Sequence, residues 1–254
     1  MTRRKRSFRG LGAVLLLTLI WELTYRGGLL NPIIFGSPSL AIEAAIKDGD
    51  KFWKAFQVTA NEMIVAVGIS WVGGVFLGIL IGASRFTAIF FAPLLSAMIA
   101  LPLIILYPAF VAGLGIGPLS KIVYGAMNGI FPVILATALG VVSVDRQYLT
   151  MARSLGASRL QLITQVTARL AAPTIVSGLR VGMSLAIIGV ITSEMLASVD
   201  GVGFWISYHR TLFNVGHVYL GIILMLIVAV AANWVLKQIE DRLGRWRESI
   251  STNL

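Results

Sequence analysis

Between two long apolar runs the chain reads Asp145-Arg146-Gln147-Tyr148-Leu149-Thr150-Met151-Ala152-Arg153-Ser154-Leu155-Gly156-Ala157-Ser158-Arg159-Leu160-Gln161-Leu162-Ile163. This stretch is too polar to cross a membrane, yet it is regular. It is helix-prone on both sides of Gly156, and a glycine there permits a tight bend between two short helices. Leu160, Ile163, Val166 and Leu170 recur at helical spacing, which gives the second half an apolar stripe. A connector of this length and regularity is more than a link. It reads as a docking element for a partner on the side of the membrane where its arginines lie.

The flanking sequence gives that segment its setting. The chain has 254 residues, of which 57% are hydrophobic and 13% charged, about half the charge a soluble domain carries. A helix crosses a hydrocarbon core with roughly 20 mostly apolar residues, and six such stretches are predicted: 11–25, 60–82, 88–112, 119–142, 173–196 and 218–236. The first has a basic start like a secretory signal, but Trp21, Glu22 and Leu23 stand where small residues would mark a cleavage site. A polar connection is predicted over 26–57, with a short surface helix in the mixed-charge part from Glu43 to Lys54. The basic residues set the orientation. With the N-terminus in the cytoplasm, the inner segments hold 14 lysines and arginines: the N-terminal cluster, Arg85, the four of the central loop and the C-terminal cluster. The outer segments hold 6: Arg26, Lys47, Lys51, Lys54, Lys121 and Arg210. This bias predicts both termini inside. It also explains the net charge of +10 better than a nucleic-acid patch does, because the terminal clusters abut apolar spans. The fold class expected is therefore an all-α polytopic membrane protein. It would have a basic cytoplasmic N-terminus at 1–10 and one transmembrane domain at 11–254.

Several chemistries are excluded or weakened. Cysteine is absent, which removes disulfides, thiolate metal sites and cysteine nucleophiles. His209 and His217 are the two histidines, and a zinc site needs more ligands than these. There is no G-x-x-x-x-G-K-[ST] element, so the chain is not expected to hydrolyse ATP. A membrane enzyme needs grouped ionisable residues, and the central parts of the predicted spans lack acid–base pairs. A secondary transporter is the alternative transport reading, but neither internal repeats nor midplane ionisable residues are evident. Gly74, Gly78 and Gly82 form a small-residue ridge for close helix contact. Pro102 and Pro108 interrupt the third span and Pro132 the fourth, which suits a moving or channel-lining bundle. The candidate gate or path residues are Pro102, Asn128 in the fourth span, Glu194 at the outer end of the fifth, and Arg210 in the loop beyond. Glu194 is expected at the membrane boundary beside Asp200 and Arg210, wetted or paired.

The central loop resembles the signature of the membrane permease subunits of binding-protein-dependent ABC importers. In that family a Glu-Ala-Ala triplet is followed after three residues by Gly, and nine residues later by an aliphatic residue. Here the positions are Thr150-Met151-Ala152, Gly156 and Val166. The run Ala152-Arg153-Ser154-Leu155-Gly156-Ala157-Ser158 is similar throughout. So are Pro173-Thr174-Ile175-Val176-Ser177-Gly178-Leu179-Arg180, and Glu194 followed by Asp200-Gly201-Val202-Gly203. Thr150 replaces the usual glutamate and Arg169 the usual proline. Leu101-Pro102-Leu103-Ile104 and the run from Gly113 to Lys121 look like the nitrate, sulfonate, taurine and bicarbonate group, which also includes vitamin-precursor importers. The resemblance implies a multi-pass protein of the bacterial inner membrane with a type I importer fold. It implies transport by alternating access, driven by ATP and magnesium on a dimer of separate ATPase subunits. A solute-binding protein would deliver a small, anionic or vitamin-precursor solute, and a second copy of the chain would complete the path. The coupling loop would be 145–170, with Arg153, Ser154, Leu155, Gly156, Ala157, Ser158 and Arg159 meeting the ATPase.

Overall fold

The computed structural model describes the backbone of residues 2–251 and the side chains of residues 12–242. The basic cluster of residues 1–10, and Arg245 and Arg247 at the other end, fall outside the described side chains. The described chain is helical throughout. Its α-helices are α1 (Thr2–Arg26), α2 (Pro38–Gly82), α3 (Arg85–Ala100), α4 (Tyr107–Leu114), α5 (Pro118–Val142), α6 (Arg146–Ser154), α7 (Arg159–Gln161), α8 (Ala168–Leu196), α9 (Val202–Thr211) and α10 (Val215–Ser251). Four helical stretches among the described residues are long and apolar enough to cross a membrane: Pro38–Gly82, Pro118–Val142, Arg159–Leu196 and Val215–Arg242. The pair Arg85–Ala100 and Leu103–Leu114, bent by 76°, makes a fifth if counted as one span.

The helices fall into two compact units. One comprises residues 1–59 and 194–227, the other 60–193 and 228–254. In the first unit the polar connection is shorter than the hydropathy suggests. Helix α2 starts at Pro38, whose missing N–H is harmless at a first helical position, and Ser37 Oγ accepts from the Leu40 N–H at 3.3 Å. The mixed-charge residues 43–54 are helical on both sides of Asp48, where the backbone leaves the helical region (φ −124°, ψ 26°) and two helices meet at a kink within α2. Ala41, Ala44 and Phe52 are buried while Glu43, Lys47 and Lys54 are exposed, the pattern of one amphipathic helix. Glu22, which interrupts the apolar pattern of α1, accepts from the Ser39 N–H (3.2 Å) and pairs with Arg26 (2.6 Å). Trp21 donates to the Gly36 carbonyl (2.9 Å), and its ring lies 5.3 Å from that of Tyr219.

In the second unit α5 is the central element. Most of one side of it is buried, from Ser120 through Gly140. The small-residue ridge of α2 lies against it: an added Cβ at Gly74 would come within 2.6 Å of the Val133 side chain. Tyr107 at the start of α4 and Tyr124 on α5 are both buried, with ring centroids 5.0 Å apart. The third span is broken at Leu101-Pro102. Pro102 has no N–H to continue the ladder, and residues 103–106 form a 3₁₀ turn before α4 begins. Trp71 donates to the Leu179 carbonyl at 3.0 Å and ties α2 to α8.

Candidate functional site

The central loop is built by two caps and a left-handed glycine. Asp145 caps α6, its Oδ1 accepting from the Gln147 N–H at 2.9 Å. The chain then turns at Gly156, whose φ is +81°. Ser158 and Gln161 form a reciprocal capping box at the start of α7, which satisfies two backbone donors that a helix N-terminus leaves open. Residues Leu162–Thr167 are wound as a π-helix and lead directly into α8. The second short helix is thus continuous with the fifth span. The turn exposes apolar side chains: Met151, Leu155 and Leu160 are 65%, 83% and 70% exposed. Arg153 and Arg159 are exposed on either side of Gly156, and Ser154 Oγ donates back to the Thr150 carbonyl at 3.1 Å.

Glu194 is buried, at 1% exposure, not wetted. Its carboxylate accepts from the Thr59 hydroxyl at 2.7 Å and from the Gly203 N–H at 2.7 Å. The same Thr59 oxygen accepts from the Val202 N–H at 2.7 Å. A carboxylate at the first turn of a helix meets the positive end of its dipole, so Glu194 anchors the start of α9. Gly201 precedes that turn with φ +103°, and a side chain there would overlap the Glu194 carboxylate. Asp200 and Arg210, expected beside Glu194, make no ion pair among the described residues. Arg210 is exposed. In the second unit Asn128 donates to the Tyr124 carbonyl within its own helix (2.8 Å), and Pro102 marks the break already described.

Two ion pairs lie at or beyond the ends of the predicted spans, outside the central parts that the sequence reading found without acid–base pairs. Lys121 Nζ lies 2.6 Å from Glu62 Oε1, with the side chains 3% and 1% exposed. Arg180 lies 3.3 Å from Glu240, and Asn233 donates to Ser184 at 2.9 Å nearby on the same two helices. The partners are far apart in sequence, so hydropathy had no means of pairing them. Thr59 was missed for the same reason: it is 135 residues from Glu194. The run Asp200-Gly201-Val202-Gly203 was the one local signal that a backbone turn there needs glycine.

The comparisons with known proteins assign this architecture to a family. Residues 74–245 match the family described as binding-protein-dependent transport system inner membrane component, and this chain belongs to that family. It is a multi-pass inner-membrane permease subunit of an ABC importer, not an enzyme. The chain is 27% identical to the putative aliphatic sulfonates transport permease protein SsuC of Bacillus subtilis (strain 168), over 95% of this chain and 88% of that protein. It is also 27% identical to the formylaminopyrimidine transport permease protein ThiX of Halalkalibacterium halodurans, over 96% and 99%. Among solved structures, the fold is similar to a chain of the MetNI methionine ABC transporter in an inward-facing form. The TM-score is 0.65 at 15% identity, covering 76% of this chain and 96% of that one.

Proposed function

We propose that this chain forms the translocation path for a small polar solute, an anion of the sulfonate, taurine or nitrate kind or a vitamin precursor. Two copies would form the path, and a pair of separate ATPase subunits would drive it by binding at residues 145–170. A solute-binding protein would deliver the solute from outside. Six spans with both termini in the cytoplasm put the loop on the ATPase side. The names of the two relatives cover an anion class and a heterocycle, which keeps both solute classes in the proposal.

The observation that carries the ATPase reading is the turn at Gly156. It combines a left-handed glycine, exposed Met151, Leu155 and Leu160, and flanking Arg153 and Arg159. Exposed apolar side chains outside the lipid are unfavourable unless a partner covers them. The arginines add orientation more than affinity, because exposed pairs contribute little. An added Cβ at Gly156 meets no atom within 4 Å, so a substitution there acts on the φ +81° backbone, at about 1–2 kcal/mol, and on whatever docks. The test is Gly156→Asp with a tagged permease. Membrane insertion stays normal, while recovery of the ATPase on purification falls sharply and ATP-driven uptake is lost. Full ATPase recovery with normal uptake overturns the docking role.

A further inference from the structure

The C-terminal half of α9 is held by a cluster of aromatic and ionisable side chains. The imidazoles of His209 and His217 stack with centroids 4.3 Å apart and planes 14° from parallel. The Trp205 ring lies 4.4 Å from His209 and 5.7 Å from His217, and its Nε1 donates to the His217 carbonyl at 3.1 Å. His217 Nε2 meets Asp48 Oδ2 at 3.0 Å, and Asp48 Oδ1 pairs with Lys51 at 2.7 Å. The cluster thus joins α9, the start of α10 and the kinked part of α2. His209 is 9% exposed, and its buried Nδ1 has no hydrogen-bond partner among the described residues. Parallel stacked rings cannot direct two nitrogen lone pairs at one metal ion, and no metal-binding group of three side chains exists among the described residues.

We propose that the His209–His217 stack is an acid-sensitive latch: with the His209 ring neutral it clamps the C-terminal half of α9 to α2 and α10, and protonation of His209 releases that half while Glu194 holds the other.

The charges facing His209 account for the direction. From α2 come Asp48 and Lys51, from α10 His217, and on α9 itself Tyr208 flanks it while Arg210 is exposed. Asp48 is already engaged by His217 and Lys51, so it is not free to neutralise a charge on His209. An imidazolium at His209 would be buried with little water to solvate it and no acceptor for Nδ1 among the described residues, which is costly. Burial is the largest influence on His209 and pushes its imidazole down to about 4, with the charge of His217 acting the same way. A released, hydrated histidine titrates near ~6.5. The sign follows from proton linkage. The released form binds the proton more readily, so the clamp is intact above pH ~6.5 and is lost as pH falls towards 4. At pH 5 the ratio of clamped to released helix is lower by about 20-fold than at neutral pH.

The absence of cysteine from the chain allows a direct test in native membranes equilibrated to one pH on both sides. Ser207→Cys places a half-buried reporter in the C-terminal half of α9, and Gln57→Cys an exposed reference. The ratio of their maleimide labelling rates cancels the pH dependence of the reagent. The expected result is a ratio that rises between pH 7.5 and pH 5, up to the fold-change above. It should be flat when His209→Phe, a non-titrating ring, is added. His209→Gln is the second variant should the ring not be accommodated. A flat ratio with His209 in place overturns the latch, and so does a rise that persists in His209→Phe or His209→Gln. Neither transport nor sidedness enters the readout, so the latch and the proposed function fail separately.

Discussion

Position 194 carries an acid near the end of a membrane span, where such a group is costly unless it is hydrated or has partners. Here the Thr59 hydroxyl and the Gly203 N–H supply hydrogen bonds to it. Glu194→Gln keeps the size but turns one acceptor into an N–H₂ group, which can satisfy only part of this set. Hydrogen bonds to a charged group contribute about 1.5–3 kcal/mol, and a loss in that range should appear as a lower thermal midpoint of the detergent-purified protein, with expression unchanged. A midpoint within error of the parent would remove the anchor. As a candidate residue Glu194 was legible, because an acid after a long apolar run stands out. Its partners were not, since a threonine and a backbone N–H carry no charge signature. Arg210 was singled out by the same charge logic, yet it is exposed, and its net charge says nothing of where the backbone turns it.

Helices pack where small residues let backbones approach, and α2 and α5 do so along Gly74, Gly78 and Gly82. An added methyl at Gly78 would lie 2.5 Å from Thr137 Cβ and 2.8 Å from the Ile134 carbonyl oxygen. The side chain can shift but the carbonyl belongs to α5, so the helices must separate. Gly78→Ala should therefore destabilise the second unit by about 1–3 kcal/mol, the usual range for overpacking. Thermal unfolding followed by circular dichroism would measure it, and an unchanged midpoint would show that the contact is loose. The ridge was readable from its four-residue spacing, and so was the break at Pro102. The start of α2 was not. A helix was expected at residues 43–54, but their low hydropathy separated it from the span that follows and hid the start at Pro38. Buried Ala41, Ala44 and Phe52 keep the stretch helical beneath its charges.

Across the whole molecule, the positive-inside bias predicts that a reporter fused after Leu254 is active in its cytoplasmic form and silent in its periplasmic form. Periplasmic activity would invert the topology and put residues 145–170 out of reach of any ATPase. The bias was legible because it needs only counting. The Glu62–Lys121 pair was not, because counting basic residues says nothing of which acid each one meets. Breaking a buried pair leaves an uncompensated charge, so removing either Glu62 or Lys121 alone is costlier than removing an apolar contact between α2 and α5.

The π-wound turn at residues 162–167 has a consequence for phase. A π turn holds one residue more than an α turn would over the same rise, and this one lies between the Gly156 turn and α8. If it rewound as α-helix by shedding that residue, everything before it would swing by about 100° around the axis of α8. Arg153, Leu155 and Arg159 would then face another quadrant altogether. The azimuth at which the loop presents itself to its surroundings is therefore set by one surplus residue in the winding of the backbone.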